Sequence, residues 1–185
     1  MSEPIDWEQW HRDQARGSWP AEYMVRLVKA HRATLKPGTM PPALDIGCGA
    51  GAHVRLLSSE GYMVTATDIS PMACRRTQEA YLLMTVLCGD INTMPAIGQF
   101  DLILDNLTLT HVEKPNWQRI MGFLKPGGTF ITAQFIVEDE ALPQSWNHMA
   151  DVVCRGAKLV ETIEHNRNDP KLNYCIGVAV LKKEA

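Results

Sequence analysis

A chain of 185 residues that is 45% hydrophobic and 21% charged can bury the core of one globular domain without disulfide or metal staples. Its formal net charge of -3 leaves no basic surplus for phosphates, which argues against nucleic acid or an anionic membrane as partner. No apolar run approaches the roughly 20 residues of a membrane span, and Met1-Ser2-Glu3-Pro4 has none of the features of a signal peptide. The five cysteines, Cys48, Cys74, Cys88, Cys154 and Cys175, are odd in number, scattered and never spaced as a metal knuckle. They are expected to be buried free thiols in a reducing, cytoplasmic setting.

Residues 5–16 are expected to form a short helix, with Trp7, Trp10 and His11 on one side at three- and four-residue spacing. A second helix is expected from Ala21 to Leu35, where Met24, Leu27, Val28, His31 and Leu35 keep helical spacing. Then comes the most informative stretch, Ala43-Leu44-Asp45-Ile46-Gly47-Cys48-Gly49-Ala50-Gly51, followed by an amphipathic segment from Ala52 to Glu60. This reads as strand, glycine turn, helix, an arrangement that brings bare backbone N–H groups and a positive helix end up to a ligand.

Downstream the pattern alternates. Gly61 ends the helix and Tyr62–Thr67 is β-rich, closing on Asp68. Ser70-Pro71 opens a helix that runs to Ala80, with serine suited to the N-cap and proline to the first position. Apolar runs at 83–88 and 100–104 end at Gly89-Asp90 and Asp105-Asn106. Trp117–Leu124 has helical spacing, Lys125-Pro126-Gly127-Gly128 turns the chain, and Thr129–Phe135 reads as a fifth strand. The acidic loop Glu138-Asp139-Glu140, a helix from Pro143 to Cys154 and two β-like runs, 158–163 and 173–181, complete the chain. Five strands alternating with helices predict a mostly parallel sheet covered on both faces, with ligands at the strands' carboxyl ends.

Three carboxylates stand at or near those ends. Asp68 lies 21 residues after Gly47, the spacing at which an acid accepts hydrogen bonds from ribose hydroxyls. Asp90 is placed to accept from an adenine amino group. Asp45, inside the first strand, would repel a dinucleotide pyrophosphate and attract a cation. Together they point to a nucleoside cofactor with a positive centre and no phosphate.

These blocks resemble the class I S-adenosylmethionine-dependent methyltransferases. The resemblance rests on residues 44–51, Thr67-Asp68-Ile69-Ser70, Gly89-Asp90-Ile91, Phe100-Asp101-Leu102-Ile103 and Leu124-Lys125-Pro126-Gly127-Gly128-Thr129, which occur in family order across about 41–135. It implies a Rossmann-like, doubly wound α/β sheet of seven strands, mostly parallel with an antiparallel C-terminal strand and helices on both faces. It also implies one domain over 1–185, with a helical lid at 1–40, a cofactor-binding core at 41–135, and a helix and terminal hairpin at 136–185. S-adenosylmethionine, leaving as S-adenosylhomocysteine, would lie with its methionine part against Gly47, Cys48, Gly49 and Gly51. Asp68 would hold its ribose, Asp90 with Ile91 would meet its adenine, and Ile69 would be a further cofactor-binding residue. Asp105 and Asn106 would sit near the methionine amino group or the acceptor. Compactness and the tryptophan-bearing N-terminus resemble the small-molecule branch that includes tellurite-resistance and thiopurine methyltransferases.

The expected partner is a small-molecule methyl acceptor, and the expected state a monomer or homodimer. His111, after the fourth strand, is the candidate general base, with helix packing as the alternative. Trp10, His11, Tyr23, Trp146 and His148 are candidate substrate-pocket residues, with structural roles as the alternative. His165 and Arg167 face the same choice in the last loop. Asp105-Asn106-Leu107-Thr108 lacks the paired prolines of enzymes that grip an exocyclic base amine. A catechol-type metal site would need a carboxylate that Thr132-Ala133-Gln134 does not provide, so no metal is expected. Two rival functions remain: a nicotinamide-dependent oxidoreductase, and a non-catalytic S-adenosylmethionine-binding module.

Overall fold

A computed structural model describes residues 5–13, 19–137, 157–165 and 174–184. The architecture is α/β: a Rossmann-like sheet of seven strands, mostly parallel with an antiparallel C-terminal pair, flanked by helices. The chain divides into two compact units, residues 1–95 and 96–185.

The first unit contains α1 (Trp7–Asp13), α2 (Glu22–Ala33), β1 (Pro42–Ile46), α3 (Ala52–Ser59), β2 (Met63–Asp68), α4 (Pro71–Ala80) and β3 (Thr85–Cys88). Its strands are parallel, with β2 between β1 and β3; Asp45 lies beside Ala66, and Asp68 beside Cys88. Local chemistry sets the boundaries. Gly61 follows α3 at φ 80°, the left-handed step that stops a helix. Ser70 caps α4 by accepting from the Ala73 N–H at 3.2 Å, and Pro71 takes the first position. Leu44, Ile46, Val54, Leu57 and Ala66 are buried in the core. On α2, His31 Nδ1 and the Tyr62 hydroxyl share a 2.7 Å hydrogen bond, which ties that helix to the approach to β2.

The second unit contains β4 (Phe100–Asn106), a 3-10 turn (Leu109–His111), α5 (Trp117–Gly122), β5 (Leu124–Val137), β6 (Ala157–His165) and β7 (Tyr174–Lys183). β5 runs parallel to β4, and β7 lies antiparallel between β5 and β6, so the terminal hairpin forms as expected. Leu104, Ile120, Phe130 and Val178 are buried here. Lys183 Nζ donates to the carbonyls of Met121 (3.0 Å) and Leu124 (2.7 Å), placing a cation at the end of α5.

Several boundaries differ from expectation by a residue or two, such as α2 at Glu22–Ala33, and two differences have a clear physical cause. Leu124 was expected to continue a helix, but it pairs with Phe100 as the first residue of β5. The chain then steps out through Lys125–Gly128 and resumes pairing at Thr129 beside Leu102. A Cβ at Gly128 would meet the Lys125 carbonyl at 2.9 Å and the Phe100 carbonyl at 3.1 Å, so this excursion needs glycine. β3 begins at Thr85 rather than at residue 83, and Leu82 and Leu83 stay outside the core at 79% and 95% exposure. The helix expected from Pro143 to Cys154 lies outside the described residues.

Candidate functional site

The glycine turn is built by the strands beside it. The Gly47 and Cys48 amides both donate to the Thr67 carbonyl, at 2.8 and 2.9 Å, and the Gly51 amide donates to the Cys48 carbonyl at 2.8 Å. Gly47, Gly49 and Gly51 have φ of 73°, 51° and 83°, a region that L side chains rarely enter. A Cβ on Gly51 would approach Tyr81 Cε2 to 2.7 Å.

Asp68 closes the turn from β2. Its Oδ2 accepts from the Gly49 N–H at 2.9 Å, and Oδ1 from the Ser70 N–H at 2.9 Å. One carboxylate thus links the turn to the cap of α4, and each oxygen keeps a second lone pair for another donor. Thr77, on α4, donates its hydroxyl to the Gly49 carbonyl at 3.0 Å. Asp45 is buried at 1% exposure in β1. Burial raises the Cys48 thiol pKa, and the nearby Asp45 and then Asp68 carboxylates raise it further. With Asp68 bonded to the Gly49 amide and Asp45 in the strand before it, the turn has two carboxyl groups beside it.

The neighbouring strand ends carry the remaining predicted side chains of this unit. Ile69 presents 56% of its surface to solvent, whereas Ile91 is buried. Asp90 Oδ1 accepts from the Asn92 N–H at 2.9 Å. Cys74 is buried, its thiol pushed up to about 12 mainly by burial. Cys88 is exposed, which corrects the expectation that the cysteines are all buried: it ends the short β3.

α1 brings His11 to the same place. The His11 side chain is buried, and its Cε1 lies 3.4 Å from where a Gly49 Cβ would stand. Burial holds its imidazole pKa below the ordinary value, while the Asp68 carboxylate opposes that shift. Trp10 packs edge-on against His11 at 4.8 Å between ring centroids but stays 45% exposed. Tyr23 is buried on α2 together with Met24, Leu27 and Val28. Trp146, His148 and Arg167 lie outside the described residues; His165 ends β6.

The second unit centres on Asp105, which is fully buried. Oδ1 accepts from the Thr108 and Leu109 amides, both at 3.0 Å. Oδ2 accepts from Thr132 Oγ1 and Gln134 Nε2, both at 2.6 Å. Burial raises the carboxyl pKa to about 6, against the pull of those four donors. Asn106 follows, and then Leu107 adopts φ 64°, the one non-glycine residue at positive φ among those described. His111 is exposed and packs edge-on against Phe135 at 5.7 Å. Partial burial lowers its pKa.

Sequence reasoning did not single out Glu8, Thr77, Thr132 or Gln134. Their partners lie 62, 28, 27 and 29 residues away in the chain, beyond any local spacing signal. Among the described residues, no group of three His, Cys, Asp or Glu side chains is placed to hold a metal ion. No described helix is long and apolar enough to cross a membrane.

Comparison with known proteins agrees with this geometry. The family model described as "Methyltransferase domain" matches residues 43–128, from β1 through the excursion at Gly128. Those residues form the first strands of the Rossmann-like α/β sheet described above. It is 31% identical over 145 residues to a probable thiol methyltransferase 2 from Arabidopsis thaliana, covering 71% of this chain and 63% of that one. It is 26% identical over 131 residues to a tRNA U34 carboxymethyltransferase from Shewanella baltica, covering 66% of this chain and 39% of that one. The methyltransferase match thus spans less than two thirds of either relative. Among solved structures, it superposes on the N-methyltransferase NodS from Bradyrhizobium japonicum, crystallised with S-adenosylhomocysteine. The TM-score is 0.69 at 18% identity, over 96% of this chain and 93% of that one.

Proposed function

We propose that this protein transfers the methyl group of S-adenosylmethionine to a small-molecule acceptor. The observation that carries the reading is the acid-lined glycine turn: Asp68 Oδ2 accepts from the Gly49 N–H at 2.9 Å and Asp45 lies in the strand that leads into the turn, so two carboxylates set a negative field there. A sulfonium is favoured by such a field and a pyrophosphate is repelled, which weighs against a nicotinamide dinucleotide. The residues fit the cofactor. Gly47–Gly51 offer a surface without β-carbons for the methionine part, and Asp68 has lone pairs left for ribose hydroxyls. Asp90 suits the adenine amino group, with the buried Ile91 next to it in the chain.

When bound, S-adenosylmethionine supplies an activated methyl group. The chain then has to align a nucleophile, exclude water and, for an O or N acceptor, take a proton. His111 is the proposed base: its lowered pKa keeps the imidazole neutral near pH 7 and able to accept. Asp105 contributes by fixing the turn after β4, and Asn106 by meeting the methionine amino group or the acceptor. A thiol acceptor would not need the base. That class is the first to test, because the Arabidopsis relative's name specifies thiol methylation. The net charge of -3 and the free Cys48, Cys74 and Cys88 suit a small acceptor in a reducing, cytoplasmic compartment.

Calorimetry with S-adenosylmethionine and with nicotinamide dinucleotides, followed by a labelled-methyl screen of thiols, amines and phenols, tests the proposal. Dinucleotide binding without S-adenosylmethionine binding overturns it. Cofactor binding without transfer to any acceptor leaves a non-catalytic binding module.

A further inference from the structure

α1 is seven residues long, too short to be stable as an isolated helix, so its position must come from tertiary bonds. Three of them reach α4 or its N-cap. Glu8 Oε2 accepts from Ser70 Oγ at 2.6 Å and from the Met72 N–H at 2.9 Å. One turn further along α1, the Arg76 guanidinium donates to the His11 carbonyl. Ser70 already serves the Ala73 amide, so Glu8 provides the acceptor that the Met72 N–H lacks within its own helix. It also sets a negative charge at the positive end of the ten-residue α4. The Ser70 and Met72 bonds hold the Glu8 carboxyl below its ordinary pKa, and Arg12 Nη2 braces Oε1 at 3.2 Å. The helix fixed in this way is the one that carries His11 onto Gly49.

We propose that Glu8 is a positioning residue, whose carboxylate latches α1 to the start of α4 and so keeps His11 closed over the glycine turn. The latch is a property of the chain alone. Its consequence, that breaking it speeds cofactor release, rests on the reading of the turn as the S-adenosylmethionine site.

Two readouts on the full chain separate these parts. Hydrogen exchange of the 7–13 amides, measured without ligand, is expected to quicken about tenfold in Glu8→Ala. It should quicken less in Glu8→Gln, which keeps an acceptor oxygen and loses the charge. The global unfolding midpoint should fall by no more than that tenfold easier opening accounts for, and a larger fall would mean that Glu8 serves general stability. Stopped-flow release of S-adenosylhomocysteine, read by tryptophan fluorescence, should quicken about tenfold in Glu8→Ala as well. Unchanged exchange in both variants overturns the latch. Quicker exchange with unchanged release overturns the positioning role. If the wild-type chain binds no S-adenosylhomocysteine, the cofactor reading falls while the exchange result still decides the latch, and Glu8→Gln decides it should Glu8→Ala not fold.

Discussion

The Gly49 amide donates to Asp68 Oδ2 at 2.9 Å across 19 positions of sequence, so the acid that ends β2 also shapes the turn that follows β1. Removing that acid should therefore act twice, on the turn and on any hydroxyl the carboxylate receives. Asp68→Ala is expected to weaken S-adenosylmethionine binding by about 1.5–3 kcal/mol, the cost of losing hydrogen bonds to a charged group. Calorimetry on the folded variant measures this, and wild-type affinity would refute the assignment.

Gly51→Ala is expected to destabilise the chain by about 1–3 kcal/mol. Part of that cost is backbone conformation at φ 83° and part is the 2.7 Å approach to Tyr81 Cε2. Adding Tyr81→Ala should recover only what the contact contributes. Urea midpoints of the single and double variants separate the two parts; complete recovery would show that the backbone conformation costs nothing.

Asp105 and His53 pull the acid side of the stability profile in opposite directions. The Asp105 carboxyl is raised to about 6 from its ordinary 3.8 by burial, so the folded chain holds that proton more tightly than the unfolded one. Its contribution is fully present below about pH 4 and is lost as pH rises through 6, by on the order of 3 kcal/mol. His53 is lowered by burial to about 4, and its Nε2 has no hydrogen-bond partner among the described residues. Its contribution is present above 6.5 and is lost as pH falls towards 4. Asp105→Asn should therefore expose a stability that rises steeply from pH 4 to 6.5, and His53→Leu one that falls from pH 4 to 6. Urea unfolding at half-unit pH steps checks both; slopes identical to wild type would contradict the burial argument.

His111→Ala is expected to slow methyl transfer to an O or N acceptor about 100-fold at saturating substrates, with little effect on a thiol acceptor. A loss of only a few-fold on every acceptor class would leave the imidazole its packing contact with Phe135 and no proton-transfer role.

What could be read from the chain followed local rules. Ser70-Pro71, Gly61 and the three turn glycines mark helix starts, stops and left-handed steps that depend on a few neighbouring residues. The runs that became β1, β2, β4 and β5 were legible because central strands are nearly continuous apolar stretches. The failures were cases where a distant partner decides. Leu124 keeps helical spacing with Trp117 and Ile120, yet it becomes a strand because Phe100 pairs with it. Leu82 and Leu83 continue an apolar run but precede the strand uncovered. At the candidate site, the acids were legible from their places at strand ends. The donors that hold Asp105, Thr132 and Gln134, lie on a strand where the sequence shows only polar residues at alternate positions.

Leu107 stands at φ 64° immediately after β4, with its amide bonded to the Ala133 carbonyl at 3.0 Å. A leucine there carries a steric cost of roughly 1 kcal/mol, yet it also narrows the freedom of the unfolded chain, which a glycine would widen by a comparable amount. Leu107 is also half-buried, so its side chain adds apolar burial that a glycine would lose. One residue thus ties the stiffness of the segment leading to His111 to the packing beneath it.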